Sequence, residues 1–162
     1  MNEKKPVLKL KNKCLVALDN WLARLQLGGR ESRERSRFRA LLRERIEEIG
    51  KVRKEIMTKY AKKNKDGSLK TKKEKIILPN GSTTEREVVD FGNEKNQEKA
   101  MKEYEEYLEE ELVIDILEGN KSKIYTVRDL VLNTDEKFSG IMADMYDLWC
   151  TAFEQLPDRR EI

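Results

Sequence analysis

The apolar positions of the chain first fall into a helical rhythm. Leu10, Cys14, Ala17, Leu18, Trp21, Leu22 and Leu25 recur at steps of three and four. Residues 10–27 therefore read as a helix with one apolar face, ended where Gly28 and Gly29 follow Leu27. From Glu31 to about Lys63 the rhythm resumes through Phe38, Leu41, Leu42, Ile46, Ile49, Val52, Ile56 and Tyr60. No proline and only Gly50 interrupt this stretch. It predicts a single helix roughly 50 Å long at about 1.5 Å per residue. Leu42, Ile49 and Ile56 are seven residues apart, which hints at a coiled-coil-like seam. The first helix alone cannot cover so long a stripe. Its remainder must meet the C-terminal half or a second copy, and a homodimer is expected.

After a solvated turn at residues 64–68, the period changes. Residues 75–78, the turn Pro79-Asn80-Gly81-Ser82 and residues 83–91 read as a β-hairpin, with Asn80-Gly81 as a type I′ turn signal. Lys and Glu fill its strands, so it reads as an exposed excursion. A third helix is expected over Glu94–Glu111, with Met101, Tyr104, Tyr107, Leu108 and Leu112 on one side and dense glutamate on the other. Residues 112–119 either continue this helix or form a short strand, which their β-branched content favours, with residues 124–127 as its expected partner. A short helix over 127–132, capped by Thr126, and a closing helix over 134–156 complete the chain. In the closing helix Phe138, Ile141, Met142, Met145, Leu148, Trp149, Ala152, Phe153 and Leu156 face inward.

These elements define an α+β fold dominated by helices. A long central amphipathic helix is packed by the N- and C-terminal helices, and a β-hairpin projects. One domain over residues 1–162 is expected, with a flexible basic N-terminus (1–9), a turn and hairpin excursion (64–92) and a flexible tail (157–162).

Composition narrows the chemistry. Of 162 residues, 40% are charged and 38% hydrophobic, which suits charge-laced helices with narrow apolar stripes and excludes a membrane protein. There is no histidine, so no His-based triad, base or metal ligand exists. Cys14 and Cys150 are too few and too far apart for structural zinc, and they are expected as free thiols. The N-terminus is basic without an apolar h-region, so a cytoplasmic protein is expected. The 34 Lys and Arg against 31 Asp and Glu leave a net charge of only +3. That balance hides an asymmetry. Residues 1–75 hold 24 basic and 10 acidic side chains, and residues 76–162 hold 10 and 21.

The order of elements, with Tyr60–Gly67 (YAKKNKDG) and Tyr107–Ile114 (YLEEELVI), resembles an uncharacterised family of small proteins encoded by bacteriophages and prophages of Gram-positive bacteria. The likeness spans about residues 8–156. It implies a viral or prophage origin and a location in the host-cell cytoplasm. The family has no established activity, so no catalytic residue is carried over. The chain departs from it in an arginine-rich second helix and a long final helix.

Three regions are candidates for binding. Arg30, Arg33, Arg35, Arg37, Arg39, Arg43 and Arg45 fall within sixteen residues. Guanidinium forks suit phosphate or an acidic protein, and Arg30, Arg33, Arg37, Arg39 and Arg43 are the candidate contacts. At 100° per residue the arginines surround the helix rather than forming one blade. Interleaved glutamates (Glu31–Arg35, Glu47–Lys51, Glu55–Lys59) also supply intrahelical pairs. A solvated face is therefore the first reading, a protein contact the second and a nucleic-acid contact the third. The glutamates of 103–111, with Asp115 and Glu118, read as a solvated face or a partner for the basic helix; no loop around them suits a metal. The hairpin turn at Asn80 and Gly81 is a recognition candidate or a tolerated surface insertion. No phosphate-binding, zinc-protease or nucleophile-elbow motif occurs. Neither a cofactor nor catalysis is expected. The expected function is a non-enzymatic phage or prophage interaction protein binding a host or viral protein, in host modulation or virion assembly. The alternative is a nucleic-acid binder using residues 30–45.

Overall fold

The computed structural model describes residues 4–162. Its elements in chain order are strand β1 (Val7–Lys11), a 3-10 turn (Asn12–Cys14), helix α1 (Leu15–Arg24), helix α2 (Gly29–Tyr60), strands β2 (Thr71–Ile77) and β3 (Thr83–Val89) and helix α3 (Glu94–Leu108). Strand β4 (Glu111–Asp115), helices α4 (Lys121–Leu132) and α5 (Gly140–Glu154) and a 3-10 turn (Arg159–Glu161) follow. The fold is α+β and mostly helical, as the patterning predicts. The two sheets are antiparallel pairs, β1 with β4 and β2 with β3. The chain forms two compact units. The first combines the residues up to Ile49 with Leu108–Ile162, and the second is Gly50–Tyr107.

In the first unit, β1 alternates. Leu8 and Leu10 are buried and pair with Ile114 and Leu112 of β4, while Lys9 faces outward opposite Val113. This corrects the expectation that residues 1–9 are a flexible lead and that a helix starts at Leu10. Residues 1–3 lie outside the described residues. It also corrects the pairing of residues 112–119. Residues 124–127 belong to α4, where Ile124, Tyr125, Val127 and Val131 are buried on one helical face. Parallel or antiparallel pairing there is replaced by a long-range ladder to the N-terminus.

The core of this unit is aromatic. Trp21 and Trp149 lie 5.6 Å apart, Phe138 stacks on Tyr146 at 4.5 Å, and Phe38 meets Phe153 at 6.2 Å. Both indoles are satisfied. Trp149 donates to the Cys14 carbonyl at 3.2 Å and Trp21 to Glu136 at 2.7 Å. The closing helix is shorter than the pattern suggests, because Gly140 at φ +57° separates an irregular stretch over 134–139 from α5. Phe138 keeps its place among the aromatics from that irregular stretch. The stretch 157–162, expected as a flexible tail, folds back on α4. Tyr125 donates to the Pro157 carbonyl at 2.5 Å, and Lys121 donates to the carbonyl of Ile162. Cys14 and Cys150 are free thiols, and burial pushes the Cys14 thiol up to about 11.

The second unit has a small core of Ile56, Met57, Phe91 and Ala100, joined by half-buried Val52, Tyr60, Leu69, Val89 and Tyr104. Two turns of one design shape it. At Pro79-Asn80-Gly81 the Gly81 N–H donates to the Leu78 carbonyl (2.9 Å) and the Leu78 N–H to the Ser82 carbonyl (2.8 Å). Only the glycine has positive φ, at +82°. This is a type I turn with a glycine bulge, not the type I′ turn that Asn80-Gly81 suggests. Pro79 fixes a negative φ at the position where type I favours it. Residues 64–68 repeat the arrangement around Gly67 at φ +85°. In both, the acidic or amide side chain (Asp66, Asn80) accepts from the backbone and hydroxyl of the serine two residues on.

Candidate interaction surfaces

The arginine run in the first unit is largely committed to the fold. Arg39 Nε donates to Asp19 Oδ1 at 2.7 Å, with both side chains mostly buried, and Arg43 lies 3.7 Å from the other Asp19 oxygen. Arg35 donates to the Leu22 carbonyl (3.0 Å) and to that of Leu25, satisfying the exposed carbonyl end of α1. Arg45 donates to Asn12 (2.9 Å) and Glu48 (3.1 Å), and Arg37 approaches Glu34 at 3.7 Å. Of the five candidate contacts, Arg39 is held by Asp19 and mostly buried, whereas Arg43, though near Asp19, is exposed, as are Arg30, Arg33 and Arg37. Arg30, Arg33 and Arg37 lie within about 60° of arc at 100° per residue. Arg30 and Arg33 make no ion pair among the described residues.

Two of the glutamates that could have neutralised this run, Glu109 and Glu103, take lysines instead. Glu109 accepts from Lys11 at 2.7 Å and Lys13 at 2.5 Å. These bonds hold its carboxyl at about 2 and raise the Lys11 ammonium. In the second unit Glu103 accepts from Lys59 at 3.2 Å, and a Tyr60 hydrogen bond, with Lys59, lowers its pKa.

Counted by unit, the charge asymmetry of the sequence disappears. The first unit has 19 Lys and Arg against 20 Asp and Glu, and the second 15 against 11. Each gathers basic and acidic segments that are distant in the chain.

The hairpin of the second unit is exposed along nearly its whole length. Its register sets Lys73 opposite Glu87, Glu74 opposite Arg86 and Lys75 opposite Glu85. Three consecutive cross-strand pairs of opposite sign stabilise a ladder with little apolar cover; Arg86 reaches Glu74 at 3.0 Å. At the distal end the charges stop. Ile77 is 79% exposed and Leu78 37%, beside the Pro79-Asn80-Gly81 turn. Asn80 Oδ1 is engaged by Ser82 (3.0 Å to N, 2.5 Å to Oγ), and Gly81 carries the bulge, so both candidate residues shape the turn. The residues that sequence reasoning missed are Ile77 and Leu78. Their signal was two large apolar residues next to a turn in an otherwise polar hairpin.

Each unit also has a cleft lined by charged and apolar side chains together. One of about 320 Å³ in the first unit is lined by Leu41, Glu44, Arg45, Glu48, Asp115 and Glu118 among others. The other, of about 500 Å³ in the second unit, includes Arg53, Met57, Glu74, Arg86, Phe91 and Met101. The second mixes both signs of charge and so selects no ion. Among the described residues no group of three Cys, Asp or Glu is placed to hold a metal, and no helix is long and apolar enough to cross a membrane. The chain matches no protein-family model, no curated protein and no solved structure.

Proposed function

We propose that the protein is a non-enzymatic interaction protein of phage or prophage origin. It binds a host or viral protein through the distal end of the β2–β3 hairpin. The observation that carries this reading is the exposed Ile77–Leu78 pair beside a turn braced by Asn80 and Gly81. Apolar side chains on a preshaped turn offer desolvation energy with little ordering cost, which suits a protein surface. The charge pairs along the strands hold the ladder and leave little net charge on it to steer a polyanion. The viral origin rests on the resemblance carried by residues 60–67 and 107–114. The apolar stripe that motivated a homodimer is buried within one chain at Phe38, Leu42, Ile49 and Ile56, so self-association loses that support.

The test uses the full chain and an Ile77→Ser/Leu78→Ser variant as baits in lysates of infected and uninfected host cells. Both are checked for equal helicity by circular dichroism. The expected result is a protein retained by the wild type and lost by the variant. Equal retention by both overturns the reading.

The exposed strip of Arg30, Arg33 and Arg37 favours a second reading, a contact with nucleic acid. It predicts low-salt binding to duplex or single-stranded probes, abolished by Arg30→Ala/Arg33→Ala/Arg37→Ala. Anisotropy that stays flat with both probes removes it.

A further inference from the structure

A different surface, in the first unit, points to a second kind of partner. One residue in five of the chain is Lys or Arg (34 of 162), yet residues 138–158 contain none. Within them α5 buries Trp149 and Phe153 against the core. Its solvent side carries the polar Asp144, Asp147, Thr151 and Glu154, with one large apolar exception. Ile141 is 75% exposed, and Met145, Leu148 and Ala152 are half-buried. These four recur at steps of four, three and four, within about 60° of arc, and so form one stripe beside the buried face. Asp144 is exposed beside it, with Asp147 and Glu154 exposed farther round the helix, and none of the three makes an ion pair among the described residues.

We propose that this side of α5 is a docking surface for a basic amphipathic helix of another protein. The stripe supplies the apolar seam, in the helix-in-groove manner. The unpaired carboxylates select a partner carrying Lys or Arg beside its own apolar residues. A second copy of this chain fits poorly, because two α5 helices face to face bring carboxylates together. Anionic lipid is disfavoured by the same charges. The inference is independent of the hairpin reading.

The test measures fluorescence anisotropy of a labelled helical peptide of leucine and lysine, about 18 residues long, against the full-length protein. Binding is expected, weakened about ten-fold or more by Ile141→Asp and by Asp144→Lys/Asp147→Lys. Glu105→Lys on α3, which changes charge elsewhere, is expected to leave it unaltered. Near-ultraviolet circular dichroism of the tryptophans confirms that each variant keeps its core. Three results overturn the proposal. They are no binding by the wild type, equal binding of a leucine–glutamate peptide, or a wild-type dimer in light scattering that Ile141→Asp dissociates, which would make a second copy the occupant.

Discussion

The two units solve the problem of staying folded differently. Among the described residues, the first buries nineteen apolar side chains, including Trp21, Trp149, Phe38 and Phe153, whereas the second buries four. Where burial is plentiful, polar groups do finishing work: Glu136 satisfies an indole, and Arg35 satisfies helix-end carbonyls. Where burial is scarce, order comes from two glycine-bulge turns, cross-strand charges and the Lys59–Glu103 pair. Each such contribution is a few tenths of a kcal/mol to about 1 kcal/mol, against about 1.5–3 kcal/mol for one fully buried large apolar side chain. A large core frees α5 to expose an apolar stripe, and a thin one leaves the hairpin end uncovered. Both candidate docking surfaces are apolar exceptions in a charged molecule.

The sharpest way to break the contrast is Trp149→Ala. It removes the ring facing Trp21, Phe138 and Tyr146, along with a buried hydrogen bond, and is expected to cost about 3–5 kcal/mol in denaturant unfolding. Next is Asp19→Ala, which strips the mostly buried Arg39 of its acceptor, at an expected cost of about 1–3 kcal/mol. If Arg39 were only a solvated charge, the loss would be near zero. Gly50→Ala acts in the opposite direction. Gly50 lies within α2, and an added Cβ meets nothing within 4 Å, so a gain of about 0.5–1 kcal/mol is expected in thermal unfolding. The smallest effect belongs to Glu109→Gln. With the folded carboxyl at about 2 and the unfolded one near 4.5, its two lysine bonds stabilise the fold above pH 4.5. That stabilisation is lost as pH falls toward 2. Wild type and variant should therefore differ slightly at pH 7 and converge by pH 2, as read from their unfolding midpoints.

The sequence carries the long helix plainly, because α2 keeps its stripe at helical spacing without a proline, and of that stripe Phe38, Leu42, Ile49 and Ile56 are buried, joined by Met57. The hairpin is equally plain from Pro79-Asn80-Gly81, though proline selects another turn. What escaped was non-local. The alternation Val7-Leu8-Lys9-Leu10-Lys11 is a strand signal, but only the distant Glu111–Asp115 gives it a partner. Without that partner, five residues beside a helix read as a basic lead. Ile124-Tyr125-Thr126-Val127 has β-branched content and still forms helix, since α4 buries three of its four residues on one face. The arginine run shows the limit for sites. Spacing reveals which side of a helix an arginine occupies, but that Asp19 waits opposite Arg39 is decided by the packing of α1 against α2.

Native-state hydrogen exchange tests the contrast between the units most directly. Backbone amides of α1 and α5 should exchange only through opening of the whole first unit. Those of β2 and β3 should exchange much faster, through a separate local opening. Equal protection of the hairpin and the aromatic core, with both lost in one cooperative event, would contradict the account.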